Sequence, residues 1–554
     1  MLLKRYFFDT QCRLGGVLAV LAVLGWCGAE AEFYSSVHAM SKVFGYEQKM
    51  LQHMQKFIAD NESKLDFLRA RLDEFERERD EAEQWGVAYF ESPLNKYLLS
   101  KRLTLDWEHI ANLMAATTGA KPLLRLQRLR QHESMPNARE LEGAIDGLLR
   151  LQFVYRLKTK HVAAGVLDGV SYGTQLNAQH CLDIAQQAER DDHLQLAHAW
   201  LLEANSRLSH SDRAQLQPLI LRQLVKVKAR LSDHRGVNST LQVLQNVEPG
   251  SETPLNKYED LMQVQHQIDE LTAEPVEEHA PLPEDFTKLS DFELYRYTCN
   301  GHIKPTPSEL RRLRCGYMSE THPFLLLAPL KVEELSHDPL LVVYHDVIYQ
   351  SEIDTIARLI KNKIQRATVM GNNSSVVSNA RTSQFTFIPK TRHKVLRTID
   401  QRVADMTDLN LEYAEHHQLA NYGIGGHYAQ HMDWFYPNAF ATEQVSSIEM
   451  GNRIATVLFY LTDVEQGGGT AFPVLKQLLK PKKYAAAFWY NLHASGVGDV
   501  RTMHGACPII VGSKWVLNRW IREFVQSDRR PCHLWDDSLL TLSQVLELDK
   551  SQIE

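Results

Sequence analysis

The strongest constraint on this chain is a change of hydrophobic period across an acidic, proline-rich segment, Glu274-Pro275-Val276-Glu277-Glu278-His279-Ala280-Pro281-Leu282-Pro283-Glu284-Asp285. Before it, apolar residues recur every three or four positions, as one face of a helix requires. After it they come in short runs between glycine turns, as strands require. The segment itself favours extended, solvated backbone and reads as a linker between two differently built halves. With 554 residues, 44% of them apolar, the chain can bury several cores. Its 61 Lys+Arg against 68 Asp+Glu give a net charge of −7, which argues against nucleic acid as the main partner.

In the first half, Leu51, Met54, Ile58, Leu65, Leu68, Leu72 and Phe75 fall on a and d positions of a heptad frame, with Asn61 the one polar d position. Two readings fit: a paired helix serving dimerisation, or an amphipathic bundle helix. Asn61 also opens a glycosylation sequon, and a glycan cannot sit inside a coiled-coil seam, so seam and glycan exclude each other. Further on, Cys181, Ile184, Ala185, Ala188, Ala197, Leu201 and Ala204, then Leu221, Leu224, Val225, Val237, Leu241, Leu244 and Pro249, describe two antiparallel helix pairs. A tetratricopeptide-like unit has this form, but the interval of about 40 positions exceeds its usual period of about 34, and a generic helical hairpin also fits.

Lys4, Arg5 and Arg13, the apolar run 14–27 and Ala29-Glu30-Ala31 follow the plan of a secretory signal peptide, with cleavage expected after Ala31. The run falls short of the roughly 20 apolar residues of a bilayer span, which weighs against a signal anchor, and no later segment reads as a span. Cys12 and Cys27 leave with that peptide. Cys181, Cys299, Cys315, Cys507 and Cys532 remain, suited to two bridges and one thiol, and sequence neighbourhood suggests Cys299 with Cys315 and Cys507 with Cys532. Five reduced, buried cysteines are the alternative, disfavoured in an oxidising lumen. Sequons at Asn61, Asn238, Asn372 and Asn373 are compatible with secretory passage and a glycoprotein. Ser551-Gln552-Ile553-Glu554 carries no KDEL-type signal, so residence in the endoplasmic reticulum needs another holder.

The second half predicts strands over 340–349, 455–461, 485–490, 508–511 and 514–521, and an amphipathic helix over 351–360 packed on their sheet. His431-Met432-Asp433 follows the glycine-rich Tyr422-Gly423-Ile424-Gly425-Gly426. On a strand, residues two apart project to one face, so imidazole and carboxylate can meet one ion. Alone the triplet is weak, since 24 His and 68 acidic residues produce roughly three such triplets by chance. His504, on a separate strand edge, and Lys514 beyond it change the balance. Two histidines and one carboxylate make the facial triad of non-haem Fe(II), with three open positions, whereas zinc is more often closed off by a fourth protein ligand. A 2-oxo acid can fill two of those positions and leave the last for O2. Its distal carboxylate then needs a fixed cation, which Lys514 can supply, and Tyr422 can add a phenolic hydrogen bond. The alternative for Lys514 is a solvated surface lysine.

With these residues placed, the chain resembles the collagen prolyl 4-hydroxylase α subunit family over nearly its whole mature length. The likeness shows in Ala420-Asn421-Tyr422-Gly423-Ile424-Gly425-Gly426, Gly451-Asn452-Arg453-Ile454-Ala455-Thr456, Phe488-Trp489-Tyr490-Asn491-Leu492, Cys507-Pro508, Lys514-Trp515 and Arg529-Arg530-Pro531-Cys532. The resemblance implies a multidomain α+β chain with a helical N-terminal half and a C-terminal double-stranded β-helix, or jelly roll. It implies a signal peptide over 1–31, a dimerisation region over 32–165, a tetratricopeptide-like peptide-substrate domain over 166–255, a linker over 256–290, a dioxygenase domain over 291–535 and a tail over 536–554. The implied cofactors are Fe(II), 2-oxoglutarate, O2 and L-ascorbate (vitamin C). His431, Asp433 and His504 would be iron ligands, Lys514 the 2-oxoglutarate anchor, and the two cysteine pairs the family's disulfides. The implied reaction is hydroxylation of proline at C4 in secretory-pathway peptides. The implied assembly is an α2β2 tetramer with protein disulfide isomerase in the endoplasmic reticulum lumen, the partner supplying retention.

Two departures stand out. Arg522 occupies the place, eight positions after the lysine, where the family usually has histidine. The family's peptide groove carries tyrosines that stack on proline, but Ala188-Glu189-Arg190-Asp191-Asp192-His193-Leu194-Gln195 and Leu224-Val225-Lys226-Val227-Lys228 contain none, which implies weakened or altered polyproline recognition. The same oxygenase chemistry on another lumenal substrate, or a non-catalytic assembly subunit, are the alternatives.

Overall fold

The computed structural model describes residues 36–60, 65–115, 120–132, 135–248, 278–279, 282–283, 285–360, 365–366, 369–370, 375–376, 381–436 and 450–532. The signal segment, most of the linker, the tail and the sequons at Asn61, Asn372 and Asn373 lie outside them; Asn238 is exposed on a helix.

The heptad seam closes within the chain. Helix α1 (Val37–Asp60) and helix α2 (Leu65–Trp85) run antiparallel. Gln48 donates to Glu83 at 2.9 Å and Gln55 donates to Glu76 at 2.6 Å, so position rises along one helix as it falls along the other. Leu51, Met54, Ile58, Leu68 and Phe75 are buried in one core with Trp107, Ile110, Met114 and Leu126. The bundle reading describes these residues.

Helix α3 (Ala138–Tyr155) leads to two stacked pairs, α4 (Ala178–Arg190) with α5 (Leu194–Ser206), and α6 (His210–Arg230) with α7 (His234–Val247). Cys181, Ile184, Ala185, Ala188, Ala197, Leu201 and Ala204 are all buried; their small side chains let α4 and α5 approach closely. Trp200 donates to Gln152 at 2.8 Å and ties α5 to α3. The tyrosine-free stretches meet through an ion pair, Glu189 to Lys226 at 2.6 Å. Part of the acidic linker is docked rather than solvated: Glu278 accepts from Gln152 at 2.6 Å and from the Thr159 backbone N–H, and His279 contacts the Leu157 carbonyl at 3.0 Å.

The C-terminal half is two facing antiparallel sheets. In chain order the strands are β1 (Cys315–Met318), β2 (Leu330–His337), β3 (Leu340–His345), β4 (Gln365–Arg366), β5 (Gln384–Ile388), β6 (His417–Tyr422), β7 (Tyr428–His431), β8 (Arg453–Tyr460), β9 (Gln466–Gly467), β10 (Thr470–Phe472), β11 (Gln477–Leu479), β12 (Ala486–Tyr490), β13 (His504–Ala506), β14 (Ile509–Val511) and β15 (Lys514–Arg522). The larger sheet has nine strands in the order β1-β2-β3-β12-β8-β15-β6-β5-β4, and the smaller has four, β7-β13-β10-β11. Period-two alternation divides the larger sheet. Leu419, Val457, Phe459, Leu517 and Ile521 face helices α9 (Gln350–Leu359) and α10 (Lys394–Thr407), while Ala420, Tyr422, Leu458 and Val516 face the smaller sheet. Behind the sheet, Arg519 donates to both carboxylate oxygens of Asp400 on α10, at 2.8 and 2.7 Å.

The expected disulfides are not formed. Cys299, ending helix α8 (Asp291–Cys299), is bonded to Cys507, with the Cα atoms 5.6 Å apart. Sheet order explains the difference. Cys315 opens β1 at the edge of the nine-stranded sheet and keeps an exposed thiol, whereas α8 lies on the four-stranded sheet, where Tyr295 donates to the Ala506 carbonyl at 2.7 Å. That contact brings residue 299 to residue 507 rather than to its neighbour in sequence. Cys181 is a buried thiol.

Helix α3 packs directly on the loops that carry the catalytic half's glycine-rich turn. Arg150 donates to the Gly425 carbonyl at 2.8 Å, and Tyr155 donates to the Pro508 carbonyl at 2.5 Å. Gly425 has φ +68°, and a Cβ there would lie 2.9 Å from the Cα of Gly147 on α3. Gly425→Ala should therefore destabilise the chain by roughly 2–4 kcal/mol in denaturant titration, through backbone strain plus the clash. Gly147→Ala, whose Cβ would meet the Gly425 Cα at 3.9 Å, should fall within about 1 kcal/mol of wild type.

Candidate active site

His431 ends β7 and His504 opens β13, and the two are directly paired across the smaller sheet. Asp433 reaches them from the bend after β7 rather than by strand alternation, because the strand stops at His431. Its Oδ1 is 3.8 Å from His431 Nε2 and its Oδ2 is 3.7 Å from His504 Nε2. One donor atom from each of the three lies within 4.8 Å of the others. Cys507, three positions beyond His504, is committed to its disulfide and is not a donor.

Both imidazoles are oriented from behind. His431 Nδ1 lies 2.8 Å from the Ala429 carbonyl, and His504 Nδ1 lies 3.0 Å from the Thr502 carbonyl. In the tautomer that donates these bonds, each Nε2 lone pair points at the shared centre. Tyr428 stacks on His431 at 3.6 Å, and Phe472 and Trp489 enclose His504 at 5.3 and 4.8 Å. Burial, and then the neighbouring His504, push His431 down to about 3, so its ring is neutral and free to ligate at physiological pH. Burial works to raise Asp433, but His504, His431, Arg453 and the Thr456 hydroxyl outweigh it and hold the carboxyl below its ordinary value. Thr456 donates to Asp433 Oδ2 at 2.7 Å, and Asn491 in turn donates to Thr456 at 2.9 Å. Two imidazoles and one carboxylate leave a divalent cation with room for exogenous ligands, a donor set that fits Fe(II).

Lys514, opening β15, is paired with Tyr422, ending β6. Both line the cavity that also contains His431, Asp433 and His504. The ammonium is 1% exposed, donates to Thr470 Oγ1 at 3.1 Å and to the Gly469 carbonyl at 3.4 Å, and sits 5.9 Å from the Tyr422 ring centre. No carboxylate among the described residues pairs with it, and burial holds its pKa down to about 7. A buried lysine without a counter-charge is suited to receive an anionic ligand. The surface-lysine alternative therefore does not hold.

Several cavity residues went unnoticed in the sequence. Val516, Asn518 and Trp520 follow Lys514 at intervals of two on β15, Gln418 and Ala420 precede Tyr422 in the same way, and Trp489 faces them from β12. Counting by two from Lys514 and Tyr422 would have found all of these except Trp489. The Trp489 and Trp520 indole nitrogens and the Asn518 carbonyl oxygen have no hydrogen-bond partner among the described residues, which leaves capacity for a polar ligand. Arg381, bonded to Ser383 and Gln418 at 3.1 and 3.2 Å, also lines the cavity. Arg522 lies eight residues along β15 from Lys514, about 26 Å on an extended strand, and donates to Glu415 at 3.0 Å beside Arg453. It is remote from the anion-receiving end.

Residues 36–169 match the family description "Prolyl 4-Hydroxylase alpha-subunit, N-terminal region", and residues 417–522 match "2OG-Fe(II) oxygenase superfamily". The chain is 32% identical over 532 residues to prolyl 4-hydroxylase subunit alpha-2 of Caenorhabditis elegans, covering 94% of this chain and 97% of that one. It belongs to the prolyl 4-hydroxylase α-subunit family. Other family members include subunit alpha-2 of Gallus gallus, 32% identical over 91% of this chain and 96% of that one, and subunit alpha-1 of Homo sapiens, 30% identical over the same shares. As in this family generally, Fe(II), 2-oxoglutarate and O2 are the implied reactants, and the His431–Asp433–His504 cluster lies within the matched oxygenase region.

Two outcomes follow from the geometry. Thr456→Val removes the hydrogen bond on Asp433 and should weaken Fe(II) binding about 10–100-fold in anaerobic metal titration. If Lys514 receives the distal carboxylate of 2-oxoglutarate in its protonated form, the dissociation constant should be flat below about pH 7 and rise by up to about tenfold per pH unit above it. A profile that stays flat to alkaline pH would remove the ammonium from cosubstrate binding.

Proposed function

We propose that this chain is the catalytic α subunit of a procollagen-type prolyl 4-hydroxylase acting on proline-containing peptides of the secretory pathway. The observation that carries the reading is the meeting of His431, Asp433, His504 and a buried, unpaired Lys514 in one cavity between two sheets. In this reading His431, Asp433 and His504, which all line the cavity, would hold Fe(II). Lys514, with Thr470 and Tyr422 around it, would anchor the distal carboxylate of 2-oxoglutarate. Bound Fe(II) with 2-oxoglutarate and O2 supplies the oxidising chemistry, leaving succinate, CO2 and a hydroxyl on proline C4. Trp489, Phe472 and Tyr428 exclude water around the histidines, and Thr456 keeps Asp433 ionised and pointed inward.

The finer expectations belong to the same reading. Ascorbate would restore iron after uncoupled cycles. The expected signal segment and the exposed sequon at Asn238 fit a glycoprotein of the endoplasmic reticulum lumen, assembled with protein disulfide isomerase in an α2β2 tetramer. The helix pairs α4–α7 would serve as a tetratricopeptide-like peptide domain. With Glu189–Lys226 in place of stacking tyrosines there, the reading favours substrates other than plain polyproline, and the same chemistry on another lumenal sequence is the second reading.

The test is peptide-stimulated 2-oxoglutarate decarboxylation by the assembled enzyme on polyproline, Pro-Pro-Gly repeats and other secreted sequences, with 4-hydroxyproline read by mass spectrometry. Turnover is expected on at least one proline peptide and should be abolished in His431→Ala or Asp433→Ala. Lys514→Ala should chiefly raise the 2-oxoglutarate requirement. Iron-loaded enzyme that turns over none of the panel would refute the reading.

A further inference from the structure

Of the three metal donors, Asp433 is the one that no strand places, so something other than sheet pairing must hold it. The holders are Asn452 and Arg453, where β8 opens. Asn452 Oδ1 accepts from the Phe435 backbone N–H at 2.7 Å and its Nδ2 donates to the Phe435 carbonyl at 3.0 Å, which fixes the chain just past the bend. Arg453 Nη1 donates to the Asp433 carbonyl at 3.3 Å, which fixes the bend itself.

The same guanidinium has two further contacts. Its Nε and Nη2 donate to the two carboxylate oxygens of Glu415 at 2.6 and 2.8 Å. Its central carbon lies 3.8 Å from the middle of the Trp520 ring, a cation stacked on an aromatic face. Trp520 lines the cavity six positions along β15 from Lys514, about 20 Å on an extended strand, and its indole N–H has no partner among the described residues. It belongs to the end left for the peptide once 2-oxoglutarate takes the Lys514 end. One planar group thus touches both the metal bend and a side chain of the peptide end.

Arg522, this chain's departure from the usual histidine, steadies that group. It is paired with Arg453 across β8 and β15, donates to Glu415 Oε1 at 3.0 Å and lies 5.0 Å from the Phe435 ring, which Arg453 approaches at 4.6 Å. Two guanidiniums share one carboxylate and one ring. The Glu415 backbone N–H also donates to the Trp520 carbonyl at 3.0 Å, so the carboxylate is tied to the strand that carries the indole. An imidazole at 522 has neither the reach nor the forked donors to reproduce both contacts.

We propose that Arg453, its plane set by Glu415 and Arg522, is the positioning residue that couples the peptide end of the cavity to Asp433. It acts through its neighbours: it fixes the offset between Trp520 and the Asp433 bend, so an occupant seated against Trp520 is felt at the metal donors. The peptide half of this statement rests on the prolyl hydroxylase reading above; the metal half does not.

Arg453→Lys keeps the charge but loses the planar stack and the fork, and it is compared with wild type in the assembled enzyme with Co(II) as the metal probe. Co(II) affinity, followed by visible absorption without cosubstrate or peptide, should fall about 10–100-fold. With metal saturating, KM for the proline peptide that wild type turns over best should rise at least about tenfold, while the dissociation constant for 2-oxoglutarate stays within about threefold, because the Lys514 end is untouched. That peptide should shift the Co(II) spectrum of wild type and leave that of Arg453→Lys unmoved. In a Trp520→Leu background the substitution should no longer raise KM but should still weaken Co(II) binding. Arg522→His should move affinity and KM in the same directions by about two- to fivefold, and it carries the test where Arg453→Lys fails to fold. Co(II) affinity and KM unchanged in these variants overturn the proposal, and so does an equal loss of 2-oxoglutarate binding, the mark of general loosening. A full rise in KM that persists without Trp520 overturns the coupling. Wild-type enzyme that binds metal but turns over no proline peptide refutes the hydroxylase reading, and Co(II) titration of the variants still decides whether Arg453 positions Asp433.

Discussion

An ammonium taken out of water without a carboxylate to meet it is the condition around which the catalytic half is arranged. Lys514 is almost fully buried, and among the described residues its ammonium donates to a hydroxyl and a carbonyl and meets no carboxylate. Such a group is costly to bury unless a ligand supplies the missing charge. Strand β15 can carry it because alternation turns Lys514, Val516, Asn518 and Trp520 into the cavity while Leu517, Arg519 and Ile521 face the helices. The ligand-binding face and the structural face are thus the even and odd positions of one strand.

The metal donors obey a different economy. Their positions come from the smaller sheet, where cross-strand pairing sets His431 opposite His504, and their directions come from backbone carbonyls that take up the second nitrogen of each ring. Asp433 completes the set from a bend and is held by Thr456, which is held by Asn491. Each donor is therefore positioned by groups that do not themselves face the ion.

Much of this could be read before the structure. The change of period at 274–285 divided the chain correctly into helical and strand-built halves, and the strands over 340–345, 453–460, 486–490, 509–511 and 514–522 fall within or close to the apolar runs that predict them. His431, Asp433, His504 and Lys514 were legible because their residue types and order are unusual together. What was not legible depends on sheet order. The pairing of Cys299 with Cys507 follows from α8 lying on the smaller sheet, which no local pattern announces. The antiparallel pairing of α1 with α2 is likewise not announced by the heptad spacing, which continues in frame from Leu51 to Phe75. Thr456 and Asn491 stood inside quoted motifs, but their roles appear only when β8 and β12 lie side by side.

The crossing of Gly147 and Gly425 has a mechanical meaning beyond its tight fit. Two main chains touch there, one from the helix that anchors α5 through Gln152 and Trp200, the other from the turn that leads into His431. At this contact the two main chains meet directly and Arg150 clamps the Gly425 carbonyl, so little slack separates the helix pairs from the donor cluster. Under the proposed function, a polypeptide held by those helix pairs would present its residues to the His431–Asp433–His504 cluster at a set offset, as cloth is fed to a needle. Specificity would then be partly a matter of counting residues from the grip.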